Sequence, residues 1–96
     1  MDLSPNAAAR AEAHLPDIAG LADQAASQLG DALSAIRKLR DRAEAAGAGR
    51  GLRSDDVHEM QRQLVYAVAG ASRGVAQLGD VAWRMAGLQH VIDNDR

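Results

Sequence analysis

The sequence predicts an all-α protein built as one antiparallel helical hairpin. Three observations carry that prediction. Alanine is the commonest residue, with 21 of 96, while Phe, Cys and Thr are absent. Apolar residues recur at the 3.6-residue spacing of a helix and not in the alternation of a half-buried strand. Three of the nine glycines fall within Ala46–Gly51, a break at mid-chain between two arms of nearly equal length. Residues 1–96 therefore read as a single domain, near the lower limit for an independent core.

The first arm is expected over about residues 5–46. Ser4 is placed to cap the orphan N–H groups, and Pro5 suits the first helical position, where its missing N–H is no loss. Ala8, Ala11, Leu15, Ile18, Ala25, Leu29, Ile36 and Leu39 then follow a helical stripe. Pro16 removes one backbone hydrogen bond and disfavours helical geometry at Leu15. It leaves either a short helix 5–14 followed by a second one, or a single helix kinked near Pro16. The stripe keeps its phase across Pro16, which favours the kinked helix. Gly20 and Gly30 each cost about 1 kcal/mol relative to Ala inside a helix, and they give a neighbouring helix room to approach.

The second arm is expected over residues 54–92. Ser54 supplies an N-cap, and Asp55 and Asp56 stand in the first turn, where the helix dipole favours acids. A heptad pattern runs from Val57, with Val57, Leu64, Ala71, Leu78, Met85 and Ile92 in one row and Met60, Ala67, Gly74, Val81 and Leu88 in the other. Val68, Val75 and Ala82 widen this stripe on one side, as in a bundle helix. Opposite it, Trp83 stands among small residues, with Gly79 and Gly87 four positions away on either side. Gly70 and Gly74 have GxxxG spacing, which in a charged helix reads as a thin spot in packing.

The seam of the hairpin is expected to pair Val57, Leu64, Leu78, Val81, Met85 and Leu88 with Ile18, Leu21, Leu29, Ile36 and Leu39. Two helices cover each core residue from one side only, and alanines bury little area. A second hairpin completing a four-helix bundle is therefore expected, as a homodimer or as a heterodimer with a related hairpin. The same six residues of the second arm, with Trp83, are the candidate partner-binding set; Trp is among the commonest interface anchors.

The formal charge of −2 gives no general attraction to nucleic acid or to anionic membranes. Positive charge collects near the turn, with Arg37, Lys38, Arg40, Arg42, Arg50 and Arg53 against Asp41 and Glu44. Arg37, Lys38, Arg40 and Arg42 are candidate contacts for an anionic partner, although a solvated charged face is the commoner outcome. No recognition helix or aromatic platform accompanies them, which argues against base reading. The chain lacks Cys, and no phosphate-loop, nucleophile-elbow or paired metal-ligand spacing is present. His14 and His90 fall near the open end of a hairpin, but without an HxxxH or HxxE spacing they read as solvated side chains. No enzymatic activity, cofactor or metal is expected. No stretch approaches the ~20 apolar residues of a membrane span, and no cleavable signal opens the chain. The expected location is the cytoplasm, or outside the cell by a leaderless route.

Length, alanine content, the Leu3-Ser4-Pro5 entry into the first helix and the Ala82-Trp83-Arg84-Met85-Ala86 segment late in the second together resemble the WXG-type substrates of type VII secretion in actinobacteria. The resemblance spans the whole chain in layout. It implies a dimeric hairpin that acts by binding. Two signatures of that group are missing: the turn has no Trp-x-Gly, and Tyr66 is followed four positions later by Gly70 instead of an acid. The expected function is thus protein–protein binding, as a type VII secretion substrate or partner. The rival readings are a regulatory or nucleic-acid-associated protein using the basic turn, and a phage or viral accessory protein or adaptor that binds a host protein.

Overall fold

The computed structural model describes residues 3–94. Met1, Asp2, Asp95, Arg96 and the side chain of Arg50 lie outside that description. Helix α1 spans Pro5–Ala45 and helix α2 spans Ser54–Asn94, so the chain is an all-α helical hairpin. Ser4 caps α1 as its position predicts: the Ala7 N–H donates to Ser4 Oγ at 3.2 Å and the Ala8 N–H to the Ser4 carbonyl at 2.8 Å. The helix runs unbroken through Pro16, which excludes the reading with two separate helices.

A wide turn over Ala46–Arg50 ends α1. Gly49, at φ +93°, reverses the chain in the left-handed region. Gly51, at φ +86° and ψ 151°, takes a conformation open only to glycine. The break that the glycines predicted is thus built from two backbone conformations that alanine would strain.

The start of α2 differs from expectation. Ser54 is already helical, and Arg53 is the cap: its carbonyl accepts from the N–H groups of Asp56 and Val57 at 3.0 and 3.3 Å. Asp56, three residues on, reaches back to accept the Arg53 N–H at 3.0 Å. This is the returning half of a capping box.

Contacts divide the chain into two units, Met1–Ala25 with Val75–Arg96 and Ala26–Gly74, each made of one segment from each helix. In the first unit, His14 lies beside Gly87, Arg84 meets Asp17 and Gln77 meets Gln24. In the second, Arg73 meets Gln28, Gly70 lies against Ala32 and Arg42 meets Asp56. In both, rising numbers on α1 meet falling numbers on α2, so the two segments are antiparallel.

The seam is narrower than the apolar stripe. Every buried hydrophobic side chain among the described residues is an alanine: Ala7, Ala11 and Ala25 in the first unit, and Ala32, Ala35 and Ala67 in the second. Gly70 marks a close approach. A Cβ at that position would lie 3.0 Å from the Gln28 carbonyl oxygen and 3.2 Å from the Ala32 Cβ. Gly20 and Gly30, by contrast, face open space: a Cβ at either would meet nothing within 4 Å among the described residues.

Candidate interaction face

The expected seam is shifted. On α2 the row Met60, Ala67, Gly74, Val81 and Leu88 is buried or half-buried, as predicted. Its partner row is not the one that begins at Val57. It is the row one residue earlier, in which Asp56, Gln63 and Gly70 are buried and Gln77 and Val91 half-buried. On α1, Ile18, Leu21 and Leu39 reach the seam, while Leu29 and Ile36 stay exposed. The physical reason is size. Alanine, glycine and the flat amide of Gln63 let two backbones close up, as the Gly70 contact shows, and the branched side chains are left on the flank.

In the second unit this flank is aliphatic on both helices. Leu33, Ile36, Leu64 and Val68 are 46%, 52%, 53% and 58% exposed, and Leu29 and Val57 lie beside them at 36% and 39%. An open groove of about 330 Å³ lies between Leu39, Leu52, Val57, Met60, Gln61 and Leu64. Leu52, at 69% exposed just before α2, forms its outer lip. Together these side chains present on the order of 600 Å² of aliphatic surface, the upper end of what a monomer leaves uncovered. The first unit carries the same register positions, with Leu15, Leu78 and Met85 each about half exposed. Of the candidate partner-binding set, then, Val57, Leu64, Leu78 and Met85 are open to a partner, while Val81 and Leu88 are partly spent inside their own unit.

Trp83 is 78% exposed. It borders an open hollow of about 350 Å³ with Ala86, Gly87 and His90. Gly79, four residues before it, faces open space. His90 is paired with Asn94 at 2.9 Å and His14 packs beside Gly87. Among the described residues, no three metal-ligating side chains come together.

The basic cluster divides by role. The Arg42 Nε donates to the fully buried Asp56 carboxylate at 2.7 Å, tying the last turn of α1 to the first turn of α2. Sequence reasoning took Asp56 for a dipole residue and missed this bond; an acid three residues past a cap and an Arg just before the turn were the available signal. Arg40 pairs with its neighbour Asp41 at 3.0 Å in the open. Arg37 and Lys38 are exposed, without an ion-pair partner among the described residues. Beside them Glu59 accepts from Gln63 Nε2 at 2.9 Å. That bond first, then the charges of Arg62, Arg42 and Lys38, hold its carboxyl below the ordinary range against the opposing effect of burial.

No helix among the described residues is long and apolar enough to cross a membrane. No protein-family model, curated protein or solved structure matches the chain.

Proposed function

We propose that this protein is a non-enzymatic binding module whose working surface is the aliphatic flank, offered to another helical hairpin to complete a four-helix bundle. One observation carries the reading: alanines fill the seam of the Ala26–Gly74 unit, while its Leu33, Ile36, Leu64 and Val68 remain in water. A buried methyl contributes about 0.8 kcal/mol, against about 1.5 kcal/mol of conformational entropy for each ordered residue. The alanine seam by itself therefore leaves the hairpin short of stabilisation, and covering the flank supplies the larger share.

The length, the hairpin layout and the Leu3-Ser4-Pro5 entry support a place among type VII secretion substrates or their partners. In that reading the protein is exported by the type VII machinery, and Trp83 is its contact outside the bundle. The binding function is tested with Ile36→Glu and Leu64→Glu. Each should abolish association and, because the uncovered hairpin loses that share of its stabilisation, lower the thermal midpoint of its helical circular dichroism. Association at wild-type strength in both variants would discard the flank as the working surface. The secretion reading is tested by looking for the protein in culture filtrate with and without the host's secretion ATPase; equal amounts in both would reject it.

A further inference from the structure

We infer that the groove of the Ala26–Gly74 unit takes one acidic amphipathic helix of about three turns, supplied by a chain other than this one. The inference rests on the aliphatic flank being the binding surface, as proposed above, and names what that surface selects.

Charge is sorted between the two flanks of this unit. One helical step turns about 100°. Leu33 and Ile36 follow the buried Ala32 and Ala35, while Val57 and Leu64 follow the buried Asp56 and Gln63. Asp31, Asp55 and Arg62 instead precede the buried Ala32, Asp56 and Gln63, so they stand on the opposite flank. Lys38 precedes the half-buried Leu39 and stands there too, near Glu59.

Of the described charges, the aliphatic side keeps Arg37 and Arg40, each four residues past an exposed aliphatic, Leu33 and Ile36. Arg53 is exposed beside Leu52 at the outer lip, and Glu44 is the one acid, four residues past Arg40. On α2 the exposed row Val57, Gln61, Leu64, Val65 and Val68 carries no charge. The groove is therefore apolar along its floor and cationic along its α1 rim. Arg40 can change partner cheaply, because its 3.0 Å bond to Asp41 is exposed and such pairs contribute at most about 1 kcal/mol.

Size points to a single helix. The flank offers on the order of 600 Å² of aliphatic surface, below the ~800 Å² that each partner buries in a standard interface. Its rows run from Leu29 to Leu39 and from Val57 to Val68, about 15 Å along each helix. That is the footprint of a three-turn helix laid in the groove between two others, with apolar anchors at helical spacing facing down. Acids at its edge would meet Arg37 and Arg40. A second Ala26–Gly74 unit in that place would lay like charge on like.

The test uses the full chain and a stapled helical peptide of about 15 residues, whose staple removes the cost of folding on binding. Leucines at helical spacing form its apolar stripe, and glutamates flank the stripe. A twin peptide carries lysine for each glutamate. The glutamate peptide should bind about 10-fold tighter than its twin, and the gap should shrink as salt is raised. Arg37→Glu and Arg40→Glu should each weaken the glutamate peptide by about 3- to 10-fold and strengthen the lysine peptide, a reversal that misfolding does not give. Ile36→Glu and Leu64→Glu should remove both peptides. Lys38→Glu, on the opposite flank, should change neither by more than about 2-fold.

Equal binding of the two peptides would overturn the acidic partner and leave the flank standing. Binding of neither, in a chain whose native association is still lost in Ile36→Glu and Leu64→Glu, would overturn the single helix and leave the flank standing. Self-association to twice the chain mass of 10.1 kDa that the glutamate peptide does not displace would overturn a foreign helix as occupant. Peptide binding unchanged in Ile36→Glu and Leu64→Glu would overturn the inference and the flank together.

Discussion

The two units of the hairpin share an alanine seam, with three buried alanines in each, but they fasten their polar groups in different ways. In Ala26–Gly74 the main tie is the 2.7 Å bond from Arg42 to a fully buried Asp56, whose other oxygen caps α2. In the other unit the ties are an exposed 3.5 Å contact between Arg84 and Asp17 and a 3.2 Å amide bond between Gln77 and Gln24. There Gln77 Oε1 is buried with no hydrogen-bond partner. Equal apolar burial therefore does not mean equal strength. What separates the units is whether polar groups at the seam are satisfied.

The largest effect should come from cutting the buried tie. Removing one partner of a buried ion pair costs about 3–5 kcal/mol, and loss of a cap about 1 kcal/mol. Arg42 is 41% exposed and recovers part of its hydration, so Asp56→Ala should destabilise by about 3 kcal/mol in denaturant melts at fixed protein concentration. Asp17→Ala, in the other unit, should change stability by less than about 0.5 kcal/mol. Equal losses in the two variants would erase the distinction between the units.

Glycine substitutions come next and should have opposite signs. At Gly70 a Cβ meets backbone at 3.0 Å. The strain of overpacking, about 1–3 kcal/mol, outweighs the ~1 kcal/mol gained in helix propensity. Gly70→Ala should thus lower stability by about 1 kcal/mol, whereas Gly20→Ala, facing open space, should raise it by about 1 kcal/mol. A stabilised Gly70→Ala would mean that the helices are not held close there.

Much of this architecture was legible from residues. Ser4-Pro5 marked the first helix start, and the glycines at 49 and 51 marked the reversal because only they tolerate its dihedrals. The register of the seam was not legible. Periodicity reports the direction of an apolar stripe, and here the stripe is wider than one neighbouring helix covers. The large residues Val57, Leu64, Leu78 and Met85 drew the expected seam to themselves. Backbone approach at Gly70 moved it onto alanine, glycine and glutamine. Asp56 was hidden for a related reason: a helix-start acid and a buried ion-pair partner look alike until the turn brings Arg42 beside it.

Gln77 sharpens the comparison from the weaker side. A buried acceptor without a partner costs about 1–3 kcal/mol, and its amide recovers only one bond, at 3.2 Å to an exposed Gln24. Gln77→Leu replaces the orphan with an apolar side chain at a seam position and should raise stability by about 1 kcal/mol. Gln63→Leu, at the equivalent position of the other unit, removes an amide bonded at 2.9 Å to Glu59 and should bring no such gain. Two equal gains would show that hydrogen bonding at the seam does not separate the units.

The smallest effect is a pH dependence confined to Ala26–Gly74. Gln63 and the neighbouring cations favour the charged form of Glu59, so its pKa in the folded chain lies below that in the unfolded chain. Above the unfolded value this preference stabilises the fold in full. It is lost as pH falls through the folded value, where both states bind the proton. Because Glu59 is reached by solvent, salt should weaken the cationic share and leave the Gln63 bond. A carboxyl titration followed by NMR should place Glu59 below its value in the unfolded chain, and Gln63→Leu should move it upward. If Gln63→Leu leaves the titration unchanged, the amide is not what holds the carboxylate, and the cations around the basic turn must carry the shift alone.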